Sequence, residues 1–226
     1  MEVSVVTPTY NRRQFIPALI KIYANQTFPK EKMEWIIIDD GIDKVGDLFQ
    51  AANIPNIRYI ALEDKLRIGA KRNRLNEEAR APIIIAMDDD DYYPPDRIQT
   101  VVDTFLLNPR IDLIGSSKMY LYFVDNKKIY STGPFAKNHA TNGTMSWRKS
   151  YSDKHTYSEY VTKGEEQSFL DNYINPMIQM DPLKAILVMC HTDNTVDKSK
   201  INLKETNYLL SDFVKDTDIY RFYMSL

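Results

Sequence analysis

Cysteine is almost absent from this sequence: Cys190 is the only one among 226 residues. A single thiol cannot form a disulfide within the chain, and it cannot supply the cysteine cluster of a structural zinc site. Proteins that lack disulfides are typical of reducing compartments. We therefore expect a cytoplasmic location.

An excess of charge of one sign and a long hydrophobic run are also missing. The formal net charge is -2, so no general basic surface for nucleic acid is expected. No window approaches the roughly 18 apolar residues in a row that predict a membrane-spanning helix. The first six residues are too short and too acidic a stretch for a signal peptide. The sequence thus predicts no nucleic-acid partner and no intrinsic membrane segment.

The composition is that of a folded globular protein, with 43% hydrophobic and 27% charged residues. A chain of this length can bury one good core, so we expect a single domain spanning residues 1–226. Up to residue 109 the order of elements reads βαβαβαβα, which predicts a mostly parallel sheet flanked by helices. The predicted strands cover residues 3–7, 34–40, 57–61 and 83–87, and the helices that we can locate cover residues 15–23, 68–80 and 94–107.

The pattern changes after residue 110, where the alternation becomes loose and the helical segments are scattered. The fold class predicted is therefore α/β over residues 1–110, followed by a smaller α+β half over residues 111–226. In this half we predict strands at residues 111–114, 118–124, 129–130, 144–148 and 185–190, and helices at residues 165–173 and 208–223.

Four consecutive carboxylates, Asp88 to Asp91, directly follow the apolar run at residues 83–87. This run predicts a buried strand, so the acids lie at its carboxyl end, where open α/β sheets bind ligands. Four like charges in one turn repel one another, and a hard divalent cation would offset the repulsion. The alternative is a solvated acidic turn. An EF-hand calcium loop does not fit, because Tyr92 stands where a carboxylate is needed.

The helix predicted from Gly69 has cations crowded at its start, namely Arg67, Lys71, Arg72 and Arg74. The amino end of a helix is the positive end of its dipole and favours acids by about 0.3–1 kcal/mol per charge. A bound diphosphate would remove the conflict, because backbone N–H groups and cationic side chains would both point at it. The alternative is that these side chains are solvated and that Arg72 or Arg74 pairs with a surface acid.

Together, four short motifs resemble family 2 glycosyltransferases, because they occur in order and with suitable spacing. The resemblance covers residues 1–110 well and the rest loosely, and it implies the GT-A fold, in which residues 1–110 bind a nucleotide sugar and residues 111–226 bind the acceptor. The motifs are Val-Val-Thr-Pro-Thr-Tyr-Asn-Arg at residues 5–12, Ile-Ile-Asp-Asp-Gly at 37–41, Gly-Ala-Lys-Arg-Asn at 69–73 and Met-Asp-Asp-Asp-Asp at 87–91.

The resemblance assigns a set of residues to the donor, a nucleoside-diphosphate sugar. Asp39 or Asp40 would accept the imide N–H of uracil, and Tyr10 would stack on the ring. Lys71 and Arg72 would approach the diphosphate. Asp89 is included in this set because it is part of the acidic motif. The alternative is that it is only a solvated neighbour. The full donor set is Thr7, Thr9, Tyr10, Asp39, Asp40, Lys71, Arg72, Asp88 and Asp89.

The resemblance also implies a divalent metal, Mn²⁺ or Mg²⁺, bound by the Asp-x-Asp motif. Asp88 and Asp90 match this pair, and Asp91 is a further candidate. His191 follows an apolar run and would be an additional ligand that favours Mn²⁺. The alternative for His191 is a structural or merely exposed side chain. The metal would neutralise charge on the departing nucleoside diphosphate.

Inverting members of the family carry a Glu-Asp pair at the start of a helix, where one carboxylate is the base. Glu165 and Glu166 resemble this pair, with Glu166 where the family has Asp. The longer side chain keeps the carboxylate chemistry but moves it by one bond, so either glutamate is a candidate base. The alternative is that both acids only interact favourably with the helix dipole.

The function predicted is that of an inverting, metal-dependent glycosyltransferase. It would move a sugar from a uridine-diphosphate donor to a hydroxyl of a glycan or glycoconjugate. A sugar-1-phosphate nucleotidyltransferase is the enzymatic alternative, and it is disfavoured because residues 7–10 lack the glycines of its nucleotide loop. A non-catalytic module that binds nucleotide sugars or glycans is the second alternative.

The small size of the chain fits either a minimal enzyme or a part of a longer multifunctional one. Size and the lack of a membrane anchor are also similar to glycosyltransferases encoded by large DNA viruses. In that case the expected location is the host cytoplasm.

Overall fold

The structure of the protein is a computed structural model that describes residues 1–161, 164–192 and 202–226. No helix within these ranges is both long enough and apolar enough to cross a membrane. Single 3₁₀ turns lie at Lys30–Lys32 and Asn142–Thr144. In chain order the elements are β1 (Val3–Thr9), α1 (Ile16–Ala24), β2 (Met33–Asp39), α2 (Gly46–Ala52), β3 (Ile57–Ala61), α3 (Ile68–Glu78), β4 (Ile83–Ala86), α4 (Arg97–Leu107), β5 (Leu113–Gly115), β6 (Met119–Phe123), β7 (Lys128–Thr132), β8 (Ser146–Arg148), α5 (Lys149–Ser152), α6 (Glu166–Phe169), β9 (Ile178–Gln179), α7 (Pro182–Ala185), β10 (Leu187–Cys190), β11 (Lys204–Glu205), α8 (Leu210–Phe213) and α9 (Thr217–Ser225).

The central sheet has the strand order β3-β2-β1-β4-β8-β5-β9. The first four of these strands are parallel, so their carboxyl ends meet at one edge. Strand β8 is antiparallel to both of its neighbours, β4 and β5, and β9 is parallel to β5. Strands β5 and β9 therefore run in the same direction as β4, and their carboxyl ends lie at the same edge. The predicted α/β class with a mostly parallel central sheet is confirmed.

Both faces of this sheet are covered, which explains why β1, β2 and β4 are buried along their whole length and are rich in apolar residues. Trp35 and Ile37 of β2 belong to a core that includes residues of α1 and α4. Ile36 and Ile38 point to the opposite face and belong to a second core, which contains Leu75 of α3. The alternation along β2 determines which face each following acid meets.

A second sheet, with the order β10-β6-β7-β11, forms most of the α+β half. Strands β6 and β7 are a hairpin, as predicted from the turn at residues 125–128. The second sheet contacts the acidic loop directly, because Tyr92 and Leu187 exchange two backbone hydrogen bonds of 3.1 and 2.9 Å. The loop that follows β4 is therefore held by both sheets.

Two predicted helices are wrong in extent. The helix expected at residues 165–173 is the single turn α6, because Asp171, Asn172 and Tyr173 have positive φ angles of 49°, 54° and 63°. The helix expected at residues 208–223 is split into α8 and α9. Helix α9 begins at its own cap, where the Asp216 carboxylate accepts from the backbone N–H of Asp218 and Ile219.

Arg97 supports the acidic loop from inside the protein. Its guanidinium is fully buried and donates to the carbonyls of Ala86 at 2.7 Å and Gly143 at 3.0 Å. It also lies over the ring of Tyr93, 4.4 Å from the ring centroid. Arg97 thus connects the end of β4 with the turn Asn142–Thr144.

We predict that Arg97→Met lowers the free energy of unfolding by about 1–3 kcal/mol. The substitution leaves two buried carbonyls without their donor, and the removal of a buried charge offsets only part of this cost. Urea unfolding followed by circular dichroism measures the change. Arg74→Met is the matched control, because Arg74 is an exposed arginine paired on the surface of α3, and we expect a change within about 0.5 kcal/mol. Equal stability of wild type and Arg97→Met would contradict the role given to Arg97.

Candidate active site

The carboxyl ends of β1, β2 and β4 bring the four sequence motifs to one edge of the central sheet. Thr9 at the end of β1 pairs in register with Asp39 at the end of β2. Helix α3 begins at the same edge, where Lys71 contacts Asp40 and Arg72 contacts Asp88. The predicted donor and metal residues therefore form one cluster, although they lie far apart in sequence.

Asp39 is fully buried and holds the loop that follows β2. Its Oδ1 accepts from the backbone N–H of Gly41 at 2.8 Å. Its Oδ2 accepts from the backbone N–H of Val45 at 3.0 Å and from the hydroxyl of Tyr59 at 2.6 Å. Burial, together with the hydrogen bond to this carboxylate, raises the pKa of the Tyr59 hydroxyl. The predicted contact of Asp39 with a base stays a prediction, and in this structure the carboxylate already serves the loop.

Asp40 forms a buried ion pair with Lys71. The second oxygen of Asp40 accepts from the backbone N–H of Leu66 at 2.8 Å. The Lys71 ammonium also donates to the carbonyl of Thr9 at 3.1 Å. Burial lowers the pKa of Lys71, and the Asp40 charge acts in the opposite direction. Lys71 thus ties α3 to the ends of β1 and β2 in this structure, and its predicted contact with a diphosphate is untested.

The first motif combines buried and accessible residues. The Thr7 hydroxyl is buried, where it donates to the carbonyl of Met87 at 2.7 Å and accepts from Trp35 Nε1 at 2.9 Å. Thr9 is also buried. Tyr10 is half-buried, and the ammonium of Lys65 lies 3.7 Å from its ring centroid. A base that stacks on Tyr10 would therefore meet Lys65 as a neighbour.

Arg72 joins the acidic loop to the segment of the predicted base. Its Nη1 donates to Asp88 Oδ1 at 3.1 Å, and its Nε donates to Glu165 Oε1 at 2.9 Å. The start of α3 and the segment before α6 can approach this closely because residue 69 is glycine. A Cβ at Gly69 would lie 2.0 Å from the carbonyl oxygen of Ser158.

Asp89 and Asp90 share one cation, Arg12. Arg12 Nε lies 3.9 Å from Asp89 Oδ1, and Arg12 Nη2 lies 3.5 Å from Asp90 Oδ2. Burial and the neighbouring charge of Asp90 raise the pKa of Asp89 well above that of an ordinary aspartate. Arg12 was not among the predicted site residues, although it closes the first motif.

Asp90 and His191 are the two predicted metal ligands that lie in contact. Asp90 Oδ2 and His191 Nε2 are 3.1 Å apart, and the His191 ring packs 4.6 Å from the ring centroid of Phe15. Within the described ranges, no three His, Cys, Asp or Glu side chains are arranged as a complete metal site. A carboxylate and an imidazole suit Mn²⁺, and divalent ions at phosphate sites take further ligands from the substrate and water. The pair thus fits a metal that completes its coordination with the donor.

Asp91 has a structural contact in this structure. Its Oδ1 accepts from the backbone N–H of Met189 at 2.8 Å, which attaches the acidic loop to β10. Its predicted role as a metal ligand is untested.

Glu165 and Glu166 differ in environment. Glu165 is buried and paired with Arg72. Glu166 is half-buried, and burial followed by the charge of Glu165 raises the pKa of its carboxyl group. Glu165 is therefore held by an ion pair whereas the pKa of Glu166 is raised, and the choice of base between them stays a prediction.

The cations at the start of α3 find partners within the chain. Arg67 donates to the carbonyl of Tyr160 at 3.0 Å. Arg74 pairs with Glu77 and Glu78 on its own helix, which confirms the alternative of a pair with a surface acid for this residue. Arg72 instead pairs with acids of the site. In this structure, carboxylates of the chain therefore offset the unfavourable interaction between the cations at the start of α3 and the helix dipole.

A glycine that the sequence analysis did not single out lies beneath the acidic loop. A Cβ at Gly143 would lie 2.9 Å from Asp88 Oδ2 and 3.4 Å from the Tyr93 hydroxyl. The turn Asn142–Thr144 can pass this close to Asp88 only because the position lacks a side chain. No local sequence motif identifies Gly143, because the residues that surround it in space come from distant parts of the chain.

We predict that Asp39→Ala lowers the free energy of unfolding by about 3 kcal/mol, because three donors, including two backbone N–H groups, lose a charged acceptor. Thermal and urea unfolding measure the change. Tyr59→Phe removes only one of the three donors and should cost about 1 kcal/mol. If Asp39→Ala unfolds like wild type, Asp39 is not the residue that holds this loop.

A family model described as "Glycosyl transferase family 2" matches residues 4–163. The poly(ribitol-phosphate) beta-N-acetylglucosaminyltransferase TarS of Staphylococcus aureus is 24% identical over 247 residues, covering 85% of this chain and 42% of TarS. An uncharacterized glycosyltransferase of Haemophilus influenzae is 28% identical over 111 residues, covering 49% of this chain and 37% of that protein. The chain thus spans less than half the length of these two relatives.

Solved structures match over most of the chain. Staphylococcus aureus TarS 1-349 in complex with UDP-GlcNAc matches with a TM-score of 0.69 at 20% identity, covering 86% of this chain and 60% of that chain. The mannosyltransferase PcManGT from Pyrobaculum calidifontis, in complex with GDP-Man and Mn2+, matches with a TM-score of 0.64 at 14% identity, covering 84% and 56%. These likenesses show the fold, which is the GT-A fold expected from the sequence. Since the family model matches residues 4–163, more than half of the sequence, the chain belongs to glycosyl transferase family 2.

Proposed function

We propose that this chain is a metal-dependent, inverting glycosyltransferase that moves a sugar from a uridine-diphosphate donor to a hydroxyl of an acceptor glycan. The observation that carries the proposal is the bridge made by Arg72. It joins Asp88 of the acidic loop to Glu165, the neighbour of the candidate base. A phosphate-binding cation, a metal-binding loop and a general base therefore meet at one edge of the sheet.

The donor class is supported by the neighbours in fold. One TarS structure holds UDP-GlcNAc, and the mannosyltransferase structure holds GDP-Man with Mn2+. We assign uridine to this chain because a carboxylate that follows β2 can accept the uracil N–H and Tyr10 can stack on the ring. Asp39 and Asp40 are both candidates for this contact, since both carboxylates are buried and both already accept hydrogen bonds from the chain.

The metal follows from the charge balance of the site. Carboxylates outnumber the cations Arg12, Lys71 and Arg72, and each of these cations already contacts at least one of them. A diphosphate that arrives alone would add negative charge to this site. Asp90 and His191 would hold a Mn²⁺ or Mg²⁺ ion, whereas Asp88 is paired with Arg72 in this structure and its role as a metal ligand stays a prediction. When bound, the metal supplies Lewis-acid stabilisation of the departing diphosphate.

Glu166 is the base in this proposal, and Glu165 is the partner that positions it. Glu166 takes the proton of the acceptor hydroxyl while the hydroxyl oxygen attacks the anomeric carbon. The bond between that carbon and the diphosphate oxygen breaks, and its electron pair leaves with the diphosphate. Attack from the face opposite the leaving group inverts the configuration. Glu165 positions α6 through its ion pair with Arg72.

The two alternative functions are weaker. A sugar-1-phosphate nucleotidyltransferase is disfavoured by the family match over residues 4–163. A non-catalytic nucleotide-sugar module would not require a half-buried carboxylate with a raised pKa beside the acidic loop, as at Glu166. The cytoplasmic location and the lack of a nucleic-acid partner stay predictions from the sequence, as does a viral origin.

We predict that Glu166→Gln lowers kcat for sugar transfer by about 10²–10⁴-fold while the Kd of the donor changes little, because only the base is lost. Steady-state release of UDP in the presence of an acceptor measures kcat, and calorimetry measures donor binding. Because burial raises the pKa of Glu166, the acid limb of the wild-type kcat/KM profile should lie above the value near 4.3 of a free glutamate.

Glu165→Gln is the matched control for this substitution. It removes the ion pair with Arg72 but leaves the Glu166 carboxylate, so the acid limb of the profile should remain. Full transfer by Glu166→Gln would refute the base assignment. Donor binding by wild type without any transfer or donor hydrolysis would favour the binding module.

We predict that UDP raises the melting temperature only when Mn²⁺ is present, because the site repels an unneutralised diphosphate. Stabilisation follows RT ln(1 + [L]/Kd), which gives about 2.7 kcal/mol at a ligand concentration of 100 Kd. Thermal shift with UDP, GDP and their sugars, each with Mn²⁺ or with EDTA, measures both metal dependence and base preference. His191→Ala and Asp90→Asn should abolish the Mn²⁺-dependent part, whereas Asp103→Asn, an exposed change on α4, should not. Equal shifts with Mn²⁺ and EDTA would contradict the metal assignment.

A further inference from the structure

Two adjoining cavities open on the α+β half, outside the donor residues. The larger, of about 730 Å³, lies against β6, β7 and β11 and includes Tyr208. The smaller, of about 460 Å³, lies against the residues that follow β5 and β9. Lys118, Pro134 and Phe135 line both, so the two form one groove. The name lysine groove is used here for the surface formed by Lys118, Phe135, Lys137, Lys204 and Tyr208.

The inner end of the lysine groove lies at the sheet edge that carries the candidate active site. Ser116 and Ser117 follow β5 and line the smaller cavity, as does Met180, which follows β9. Strands β5 and β9 run in the direction of β4, so these residues lie at the same edge as Asp88. Only β8 separates β5 from β4, a distance of about 10 Å at normal strand spacing.

A row of rings connects the groove with the candidate base. The rings of Phe135 and His139 have centroids 5.0 Å apart, and so do those of His139 and Tyr173. Tyr173 lies near Glu166, because the Leu170 N–H donates to the carbonyl of Glu166 at 2.8 Å and the Tyr173 N–H donates to the carbonyl of Leu170 at 2.9 Å. Phe135, at the outer end of the row, is 52% exposed. Flat ring faces of this kind suit the apolar faces of sugars.

The groove carries positive charge that the chain itself does not neutralise. Across the described part of the chain, no carboxylate lies within ion-pair distance of Lys118, Lys137 or Lys204. Glu205, the acid that lines the groove, is engaged by Lys128 at 2.8 Å. This contrasts with the donor site, where Lys71 and the arginines are paired with acids. The lysine groove therefore attracts anions while the net charge of the protein is -2.

We propose that the lysine groove binds the acceptor as an extended sugar or polyol chain that carries phosphate or carboxylate groups, with its reacting hydroxyl at Glu166. The inference rests on the proposed function, because it takes Glu166 as the base. The rings from Tyr173 to Phe135 contact the sugar units, and the lysines contact the anionic groups. A neutral glycan would leave these ammonium groups without partners.

Direct binding tests the proposal without any need for turnover. The probes are fluorescein-labelled hexamers of ribitol phosphate, of hyaluronan and of maltose units, titrated with the 226-residue chain and followed by fluorescence anisotropy. We expect at least one charged probe to bind about tenfold or more tightly than neutral maltohexaose, with an affinity that falls as salt rises. Whichever charged probe binds more tightly shows whether the groove prefers phosphate or carboxylate groups.

The variants Lys118→Glu and Lys204→Glu should each weaken the charged probe by about tenfold, the size of one charge-assisted hydrogen bond. Phe135→Ala should weaken all three probes by about fivefold through lost ring contact. Lys154→Glu is the matched control, because it makes the same charge change at an exposed lysine beyond α5, at the opposite edge of the sheet, and should change binding less than twofold. Lys118→Gln replaces Lys118→Glu if circular dichroism shows that the charge reversal unfolds the protein.

Three outcomes would overturn the proposal: no probe binds, maltohexaose binds as tightly as the charged probes, or the lysine variants bind like Lys154→Glu. A thymidine hexanucleotide that binds as tightly as the sugar polymers would also overturn it, because the groove would then recognise phosphate without sugar. Donor binding in the thermal-shift experiment is a separate measurement. If it fails while the probes still bind, the proposed function fails and the groove remains; if the probes fail while the donor binds, only the groove proposal fails.

Discussion

The ion pairs of Arg72 hold together the two halves of the site. Its guanidinium contacts Asp88, which follows β4, and Glu165, which lies 93 residues further along the chain than Arg72 itself. At an effective dielectric constant near 20, opposite charges about 4 Å apart attract by about 4 kcal/mol before the cost of desolvation. Without this cation the half-buried Asp88 and the buried Glu165 would lie near each other with no positive charge between them. The position of Glu166 therefore depends on a residue of the opposite half.

Under the proposed function, the same pairing would make donor binding an exchange of partners for Lys71 and Arg72. Arg72 is engaged by two carboxylates and Lys71 by Asp40. A bound diphosphate would compete with these acids for the cations, and a metal at Asp90 and His191 would compensate for the charge that the diphosphate adds. Because Glu165 shares Arg72 with the acidic loop, a change at the proposed donor site would be transmitted to α6 by one side chain. The occupancy of that site would thereby be linked to the position of the proposed base.

The sequence predicted the strands that are determined by residues close together in the chain. The apolar runs of β1, β2 and β4, and the acids that follow them, are visible because strands buried on both faces are continuously hydrophobic. What it could not distinguish were the roles of adjacent acids. Asp39 and Asp40 look alike in sequence, but along a strand they point to opposite faces, so Asp39 meets the loop before α2 and Asp40 meets Lys71 of α3.

The contacts between site residues could not be predicted from the local sequence either, because they join residues that are distant in the chain. The cations at the start of α3 correctly indicated a need for negative charge, yet acids of the chain itself meet that need at Arg72 and Arg74. The helix expected at residues 165–173 ends early because three residues with positive φ follow α6, and nothing in their side chains requires this. Propensity is a weak guide where tertiary contacts determine the backbone.

The lysine groove is a local cluster of positive charge that the net charge of the protein does not reveal. Lys118, Lys137 and Lys204 are spread over 87 positions and belong to no motif, so neither spacing nor the net charge of -2 distinguishes them from solvated lysines. Only the hairpin of β6 and β7, with β11 at its side, brings them around one groove. In the proposed function the donor would be recognised by acids at strand ends, which the sequence displays in motifs. The acceptor, in contrast, would be recognised by a charge pattern that exists only after folding.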